Sequence, residues 1–200
     1  MVAESICVFC GSADGLDAAY YDAAFEMGKT LAKRGMTLVY GAGRTGMMGA
    51  LAEGALSEKG EIIGVVPVGL ESPQLVYTTG LTRLEVVENI QIRKARMNEL
   101  AEAFIALPGG FGTMDELFEV LTWSQIGLHR KPAALLNTNG YYDNLLDWID
   151  RAYADHYIYE EHLGLFVVDP KPAWLLERLE KYQFPDRIER WLVRDEELPS

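Results

Sequence analysis

Short, continuously apolar runs alternate along the chain with longer segments whose apolar positions recur every three or four residues. The strand-like runs are residues 5–10, 37–40, 61–67, 83–87, 103–107, 131–136 and 164–168. Residues 17–34, 47–58, 88–101, 113–127, 141–153 and 170–182 carry the helical period. In the first of these, Tyr20, Ala23, Ala24, Met27 and Leu31 form one stripe, and Gly35 ends it. In the last, Pro172 falls in the first turn, where a missing N–H is tolerated. Strands that are apolar throughout are buried on both faces, and strands that alternate with helices form parallel sheets. The pattern therefore predicts a single-domain α/β fold, one parallel sheet with helices on both faces. Residues 68–82, rich in Gly, Thr and Pro, interrupt the pattern and read as a mobile flap.

Two hundred residues, 49% of them hydrophobic, suffice for the full core of one such domain. No linker, low-complexity stretch or internal repeat divides the chain. Residues 1–183 are expected to form the domain, followed by a charged tail over 184–200. The 18 basic residues stand against 30 acidic ones, a formal net charge of −12. That balance argues against a nucleic-acid polymer or a membrane as partner, since both demand a basic footprint. A small anionic ligand remains compatible with it. Met-Val-Ala-Glu-Ser at the start lacks the features of a secretory signal, and no apolar run approaches the ~20 residues that span a bilayer. A cytoplasmic protein is expected. Cys7 and Cys10 form a C-x-x-C, but inside a strand-like run rather than at a helix start, so buried thiols are expected instead of a redox pair. His129, His156 and His162 have no ligand cluster around them, and no metal is expected.

Candidate chemistry gathers at two glycine turns. Pro108, which cannot donate to a ladder, stops the run at 103–107. Gly109, Gly110 and Gly112 follow, and a helical segment opens at Thr113. A strand, a glycine turn and a helix in that order present backbone N–H groups at a helix N-terminus, which suits a phosphate. A purely structural account also fits, because Thr113-Met-Asp-Glu116 has the form of a capping box. The other turn, Gly41-Ala-Gly43-Arg-Thr-Gly46, matches the dinucleotide fingerprint letter by letter. That motif needs an acidic residue about 20 positions on, at the end of the next strand. Here that strand ends Val65-Val-Pro-Val-Gly69, with no carboxylate, which argues against NAD and leaves a phosphate or close-approach loop. Helices in a parallel sheet begin at its carboxyl edge, where ligands bind. Arg93 and Lys94 lie near the start of segment 88–101, and Glu116 in the first turn of 113–127. Arg93, Glu116 and both glycine turns are therefore expected on one edge. The structural alternative for Arg93 is a solvated surface arginine.

Pro108-Gly-Gly-Phe-Gly-Thr-Met-Asp-Glu116 resembles the P-G-G-x-G-T-x-x-E signature of the LOG ("lonely guy") family, the cytokinin riboside 5′-monophosphate phosphoribohydrolases. Arg93-Lys-Ala-Arg-Met97 matches that family's R-K-A-x-M. Further similarity runs through Cys7-Val-Phe-Cys-Gly-Ser12, Gly46-Met-Met-Gly49, Thr122-Trp-Ser-Gln-Ile-Gly127 and Gly140-Tyr-Tyr. The resemblance implies a Rossmann-like fold, a homodimer or higher homo-oligomer, and no cofactor. It implies hydrolysis of the N-glycosidic bond of a purine nucleoside 5′-monophosphate, releasing free base and ribose 5-phosphate. Members have often been labelled lysine decarboxylases, but no lysine context for pyridoxal phosphate is present here.

By the same resemblance, Arg93 and Glu116 are the catalytic pair. Gly109, Gly110, Gly112 and Thr113 cradle the 5′-phosphate, with Lys94 as a further phosphate-binding candidate, and Gly43 and Gly46 form the opposing wall. The chemistry agrees, because breaking a ribosyl–nitrogen bond builds positive charge on the sugar and a carboxylate stabilises it or positions water. Whether Arg93 holds the phosphate or assists the departing base is left open. The sequence departs from the family at Ile90-Gln-Ile92, in place of Met-His-x, and in a flap with no glutamate or histidine near residues 74–80. Arg44 also adds a cation near the expected phosphate. The reaction type is thus a firmer expectation than cytokinin as the substrate, and plain AMP or another nucleotide stands as an alternative. The rival reading is a non-catalytic carrier of a nucleotide or phosphorylated cofactor, akin to the molybdenum cofactor carriers.

Overall fold

The computed structural model describes residues 3–188. Seven strands alternate with helices: β1 (Ser5–Phe9), α1 (Ala18–Lys33), β2 (Thr37–Tyr40), α2 (Gly46–Ser57), β3 (Ile62–Pro67) and β4 (Arg83–Val87) form the first half. The second half comprises α3 (Ile90–Leu100), β5 (Ala103–Ala106), α4 (Phe111–Gln125), β6 (Ala133–Leu136), α5 (Asp143–Ala154), α6 (Glu160–Leu163), β7 (Phe166–Asp169) and α7 (Pro172–Glu180). All neighbouring strands pair in parallel, in the order β4-β3-β2-β1-β5-β6-β7. The chain starts in the middle, builds outward to β4, then crosses back to place β5 on the other side of β1. The strand order reverses between β1 and β5.

Alternate residues of each strand face opposite layers. Ile6, Val8, Leu38, Tyr40 and Ile62 pack against Met27 and Leu31 of α1, Leu51 of α2 and Leu176 of α7. Cys7, Phe9, Val39 and Phe104 face the other way, against Met97 of α3 and Val120 of α4. Ala106 and Leu135 meet Leu117 and Tyr142 beside them. The predicted α/β sandwich is thus the fold observed, and Cys7 and Cys10 are free, buried thiols within it. Burial pushes both thiols up, which keeps them protonated and unreactive. No described helix is long and apolar enough to cross a membrane.

Local signals account for the starts of α1, α3 and α7. Asp17 caps α1 by accepting from the Ala19 N–H, Asn89 caps α3 by accepting from Ile92, and Pro172 opens α7. The start of α4 differs from expectation. It begins at Phe111, with Gly110 as a cap lacking any side-chain hydrogen bond, so Thr113 and Glu116 form no capping box. Both side chains are buried instead. The short α6 has no counterpart in the periodic pattern of the sequence.

Residues 68–82 join two parallel neighbours without a helix. They are pinned to the turn after β2: Gly43 bridges Val76, the Tyr77 N–H donates to Ala42, and the Arg44 guanidinium donates to the Pro73 carbonyl at 2.6 Å. Arg44 therefore anchors the flap rather than standing as a cation beside the glycine turn of α4. Beyond the expected boundary at 183, the Phe184 ring lies 5.2 Å from the Arg130 guanidinium, and Ile188 is buried. The rest of the expected tail, 189–200, lies outside the described residues.

Candidate active site

A cleft of about 340 Å³ opens at the carboxyl edge, where the strand order reverses. Residues 10–13 after β1 line one side, and Gly110, Gly112, Thr113 and Glu116 of the β5–α4 turn line the other. Met48 of α2 and Arg93 of α3 complete it. Ligands of open parallel sheets bind at this reversal, because the loops on its two sides diverge there. A larger depression of about 450 Å³ lies at the opposite edge, among His129, Arg130, Lys131 and Phe184, remote from these groups.

Arg93 and Glu116 form an ion pair, Nη1 to Oε1 at 3.2 Å, with side chains 12% and 7% exposed. The Arg93 Nε donates to the carbonyl of Val65 in β3 at 3.1 Å, which fixes the plane of the guanidinium. Gly41, at the end of β2, makes room for it. A Cβ there would stand 1.9 Å from Arg93 Nη2. Burial raises the Glu116 carboxyl above its ordinary value of 4.5, and the Arg93 charge pulls it back only in part. The site therefore holds a desolvated carboxyl whose ionised form is oriented by a permanent cation.

The two glycine turns differ in what their helix termini offer. At α2, the Gly46 N–H donates to the Asp14 carboxylate at 3.0 Å, and Thr45 Oγ1 donates to the Ser12 carbonyl. That terminus is already served by an acid of the protein's own. At α4 no side chain caps the helix, and a Cβ on Gly110 or Gly112 would meet nothing within 4 Å. This terminus faces the cleft with open donors, the arrangement that receives a phosphate or carboxylate.

Of the residues singled out in the sequence, Arg93, Gly110, Gly112, Thr113 and Glu116 meet at the cleft. Gly109 lies directly behind, its Cα against the Thr113 hydroxyl and the Gly11 backbone. Gly43 and Gly46 do not line the cleft. They pack behind it, Gly43 against Met48, whose side chain is the wall. Lys94 is turned away, its ammonium 3.0 Å from Asp115 and 2.8 Å from Glu119, where it ties α3 to α4. Burial lowers its pKa, but the bonds to Glu119 and Asp115 outweigh that and raise it overall.

Gly41, Met48, Asp14 and the residues 10–13 did not emerge as site residues from the sequence. For residues 10–13 the signal was present, since the turn after the first strand of a parallel sheet always opens on the carboxyl edge. Gly41 stood in the turn read as a phosphate or close-approach loop, but what approaches it, the Arg93 guanidinium, comes from far along the chain, and for Asp14 no local signal existed.

A family model described as "possible lysine decarboxylase" matches residues 48–179. The chain is 46% identical over 179 residues to the rice (Oryza sativa subsp. japonica) "probable cytokinin riboside 5′-monophosphate phosphoribohydrolase LOGL9", covering 88% of this chain and 78% of that one. It is 43% identical over 194 residues to the cytokinin riboside 5′-monophosphate phosphoribohydrolase LOG of the same plant, covering 97% and 79%. To LOG7 of Arabidopsis thaliana, which bears the same activity name, it is 41% identical, covering 96% and 89%. Among solved structures it is similar to the molybdenum cofactor binding protein of Rippkaea orientalis, with a TM-score of 0.68, 20% identity and coverage of 90% and 98%. It is likewise similar to the molybdenum cofactor carrier protein of Chlamydomonas reinhardtii, with a TM-score of 0.66, 21% identity and coverage of 89% and 96%. At such identities the structural likeness concerns the fold alone. The sequence relatives extend over most of the chain and share far more of it, and by them the chain belongs to the LOG family.

Proposed function

We propose that the protein hydrolyses the N-glycosidic bond of a purine nucleoside 5′-monophosphate, giving free base and ribose 5-phosphate. The buried Arg93–Glu116 pair, set in the same cleft as the uncapped N-terminus of α4, carries this reading. The 5′-phosphate sits on the backbone donors of Gly110, Gly112 and Thr113, with Gly109 behind them. The ribose then lies over Glu116, whose carboxylate stabilises the positive charge developing at C1′ and orients water. Water oxygen bonds to C1′, the C1′–N bond breaks, and the water's proton leaves to balance the charge on the base. A guanidinium does not deprotonate in proteins, so Arg93 serves by holding the carboxylate and by hydrogen bonding, not by proton transfer. Among the described residues lining the cleft, Glu116 is the one carboxylate.

The names of the relatives point to cytokinin nucleotides, and the departures in 90–92 and in the flap keep AMP within the substrate class. A non-catalytic carrier is the second reading, since the molybdenum cofactor proteins share this fold. A carrier has no use for a buried carboxylate held at the sugar, which is why hydrolysis is preferred. We further assign the activity to the domain over residues 1–183, in a cytoplasmic homodimer or higher oligomer. Exposed Ile90 and Ile92 on α3 and the 97% exposed Phe111 beside the cleft support an interface between copies.

Chromatographic detection of free base tests the proposal. AMP, GMP, CMP and isopentenyladenosine monophosphate would be incubated with wild type and with Glu116→Gln. Base release by wild type, lowered at least about 100-fold in the mutant, is expected. Thermal stabilisation by a nucleotide with no release from any of the four would establish the carrier instead.

A further inference from the structure

We infer that Tyr141 is a positioning residue for the phosphate-binding turn. Its hydroxyl donates to the Gly109 carbonyl at 2.6 Å. It does not act alone. The Tyr142 hydroxyl donates to the Leu107 carbonyl at 2.6 Å, and the Gly11 N–H donates to the Pro108 carbonyl at 3.0 Å. Three successive carbonyls of the turn, those of Leu107, Pro108 and Gly109, are thus each held by a donor from another segment of the chain. In a trans peptide the C=O of one residue and the N–H of the next point in opposite directions. Holding the Gly109 carbonyl therefore fixes the aim of the Gly110 N–H at the anion seat. Glycine at 109 and 110 leaves that peptide free to rotate without such a restraint.

The segment that supplies both hydroxyls is itself fixed. Asn139 and Gly140 both adopt left-handed backbone, at φ 53° and 70°, which swings the chain back toward β5 after β6. Asn137 secures this turn, accepting from the Tyr142 N–H and donating to Asp143, each at 2.7 Å. The Tyr141 ring packs edge-on against Tyr20 of α1 and against Tyr142. Burial raises the Tyr142 hydroxyl well above its ordinary value, so it stays a protonated donor. Tyr141, 44% exposed, carries the hydrogen bond next to the cleft. The Gly140-Tyr-Tyr motif thereby acquires a task in ligand binding without touching the ligand.

This inference rests on the reading of the α4 N-terminus as the 5′-phosphate seat, and the test separates the two. Tyr141→Phe keeps the ring and its packing and removes one donor. Calorimetric Kd for ribose 5-phosphate and KM for AMP are both expected to rise about fivefold, the equivalent of one hydrogen bond of ~1 kcal/mol. kcat should stay within about twofold, and the melting temperature within a few degrees. A wild type that binds ribose 5-phosphate, with the variant binding it equally well, overturns the role of Tyr141 and leaves the seat in place. A fall in kcat or melting temperature at unchanged Kd and KM also overturns it, by assigning Tyr141 to structure only. A wild type that binds no ribose 5-phosphate overturns the seat and this inference together, whereas base release reports separately on hydrolysis.

Discussion

At position 41 a single methyl group decides whether Arg93 reaches its partner. The 1.9 Å approach of a Cβ there is to the far end of a long side chain, so the guanidinium, not the backbone, would yield. Gly41→Ala is therefore expected to fold with little loss of stability while displacing Arg93 from Glu116. A misplacement of about an ångström can cost some 100-fold in rate, and kcat/KM for base release should fall by that order. Steady-state assays beside a melting curve would check both halves. Glu116 makes a second prediction, in pH. Its carboxyl is raised by burial, so the acid limb of kcat/KM should lie above pH 4.5, the ordinary value for the group. The same shift acts on stability. The folded state holds this proton more tightly than the unfolded chain does, so the contribution is complete below pH 4.5 and is lost as pH rises through the raised folded value. A pH–rate profile whose acid limb falls at or below 4.5 would contradict the burial of an essential carboxyl. Arg93 and Glu116 were legible in the sequence because each sits near a helix start, and every such start in a parallel sheet shares one edge. The turn at Gly41 was legible as a close-approach loop, but its partner was not, because nothing nearby in the chain announces a guanidinium arriving from α3.

Among the elements, α1 and α2 show most directly how packing overrides propensity. Gly28 and Gly54 bring the two helices into near backbone contact: a Cβ on Gly54 would lie 2.0 Å from the Phe25 carbonyl oxygen, and one on Gly28 2.0 Å from that of Leu51. Gly54→Ala gains about 1 kcal/mol of helix propensity. Against this stands a clash with backbone, which cannot rotate away, and overpacking of this kind costs roughly 1–3 kcal/mol. The clash should win, lowering the melting temperature by several degrees. A melting temperature equal to or above wild type would show that the helices can part without penalty. The start of α4 teaches a related lesson. From the sequence, Thr113-Met-Asp-Glu116 has the form of a capping box. Burial of the Thr113 and Glu116 side chains selects the glycine cap, and with it a helix N-terminus left open to the cleft. At α2 the choice went the other way, because the loop after β1 brings Asp14 to the Gly46 N–H.

Across the whole molecule, alternating apolar runs and helical periods determined the layers, the parallel sheet and the edge where chemistry belongs. These follow from local rules: period, glycine and proline punctuation, and the obligation of a doubly buried strand to be apolar throughout. The signature at 108–116, together with Arg93-Lys-Ala-Arg-Met97 and the further matching stretches along the chain, pointed to the family. What tertiary structure alone decided was which of the eligible groups meet. The order β4-β3-β2-β1-β5-β6-β7 sets the loop after β1 opposite the turn after β5, brings Arg93 back across the top of β3, and draws Lys94 away into a pairing with Asp115 and Glu119. It also gives the two similar glycine turns different work, one closed by Asp14 and one open. Those outcomes depend on contacts between residues distant in the chain, and no periodicity encodes them, because a strand's neighbours are chosen by the packing of the whole sheet.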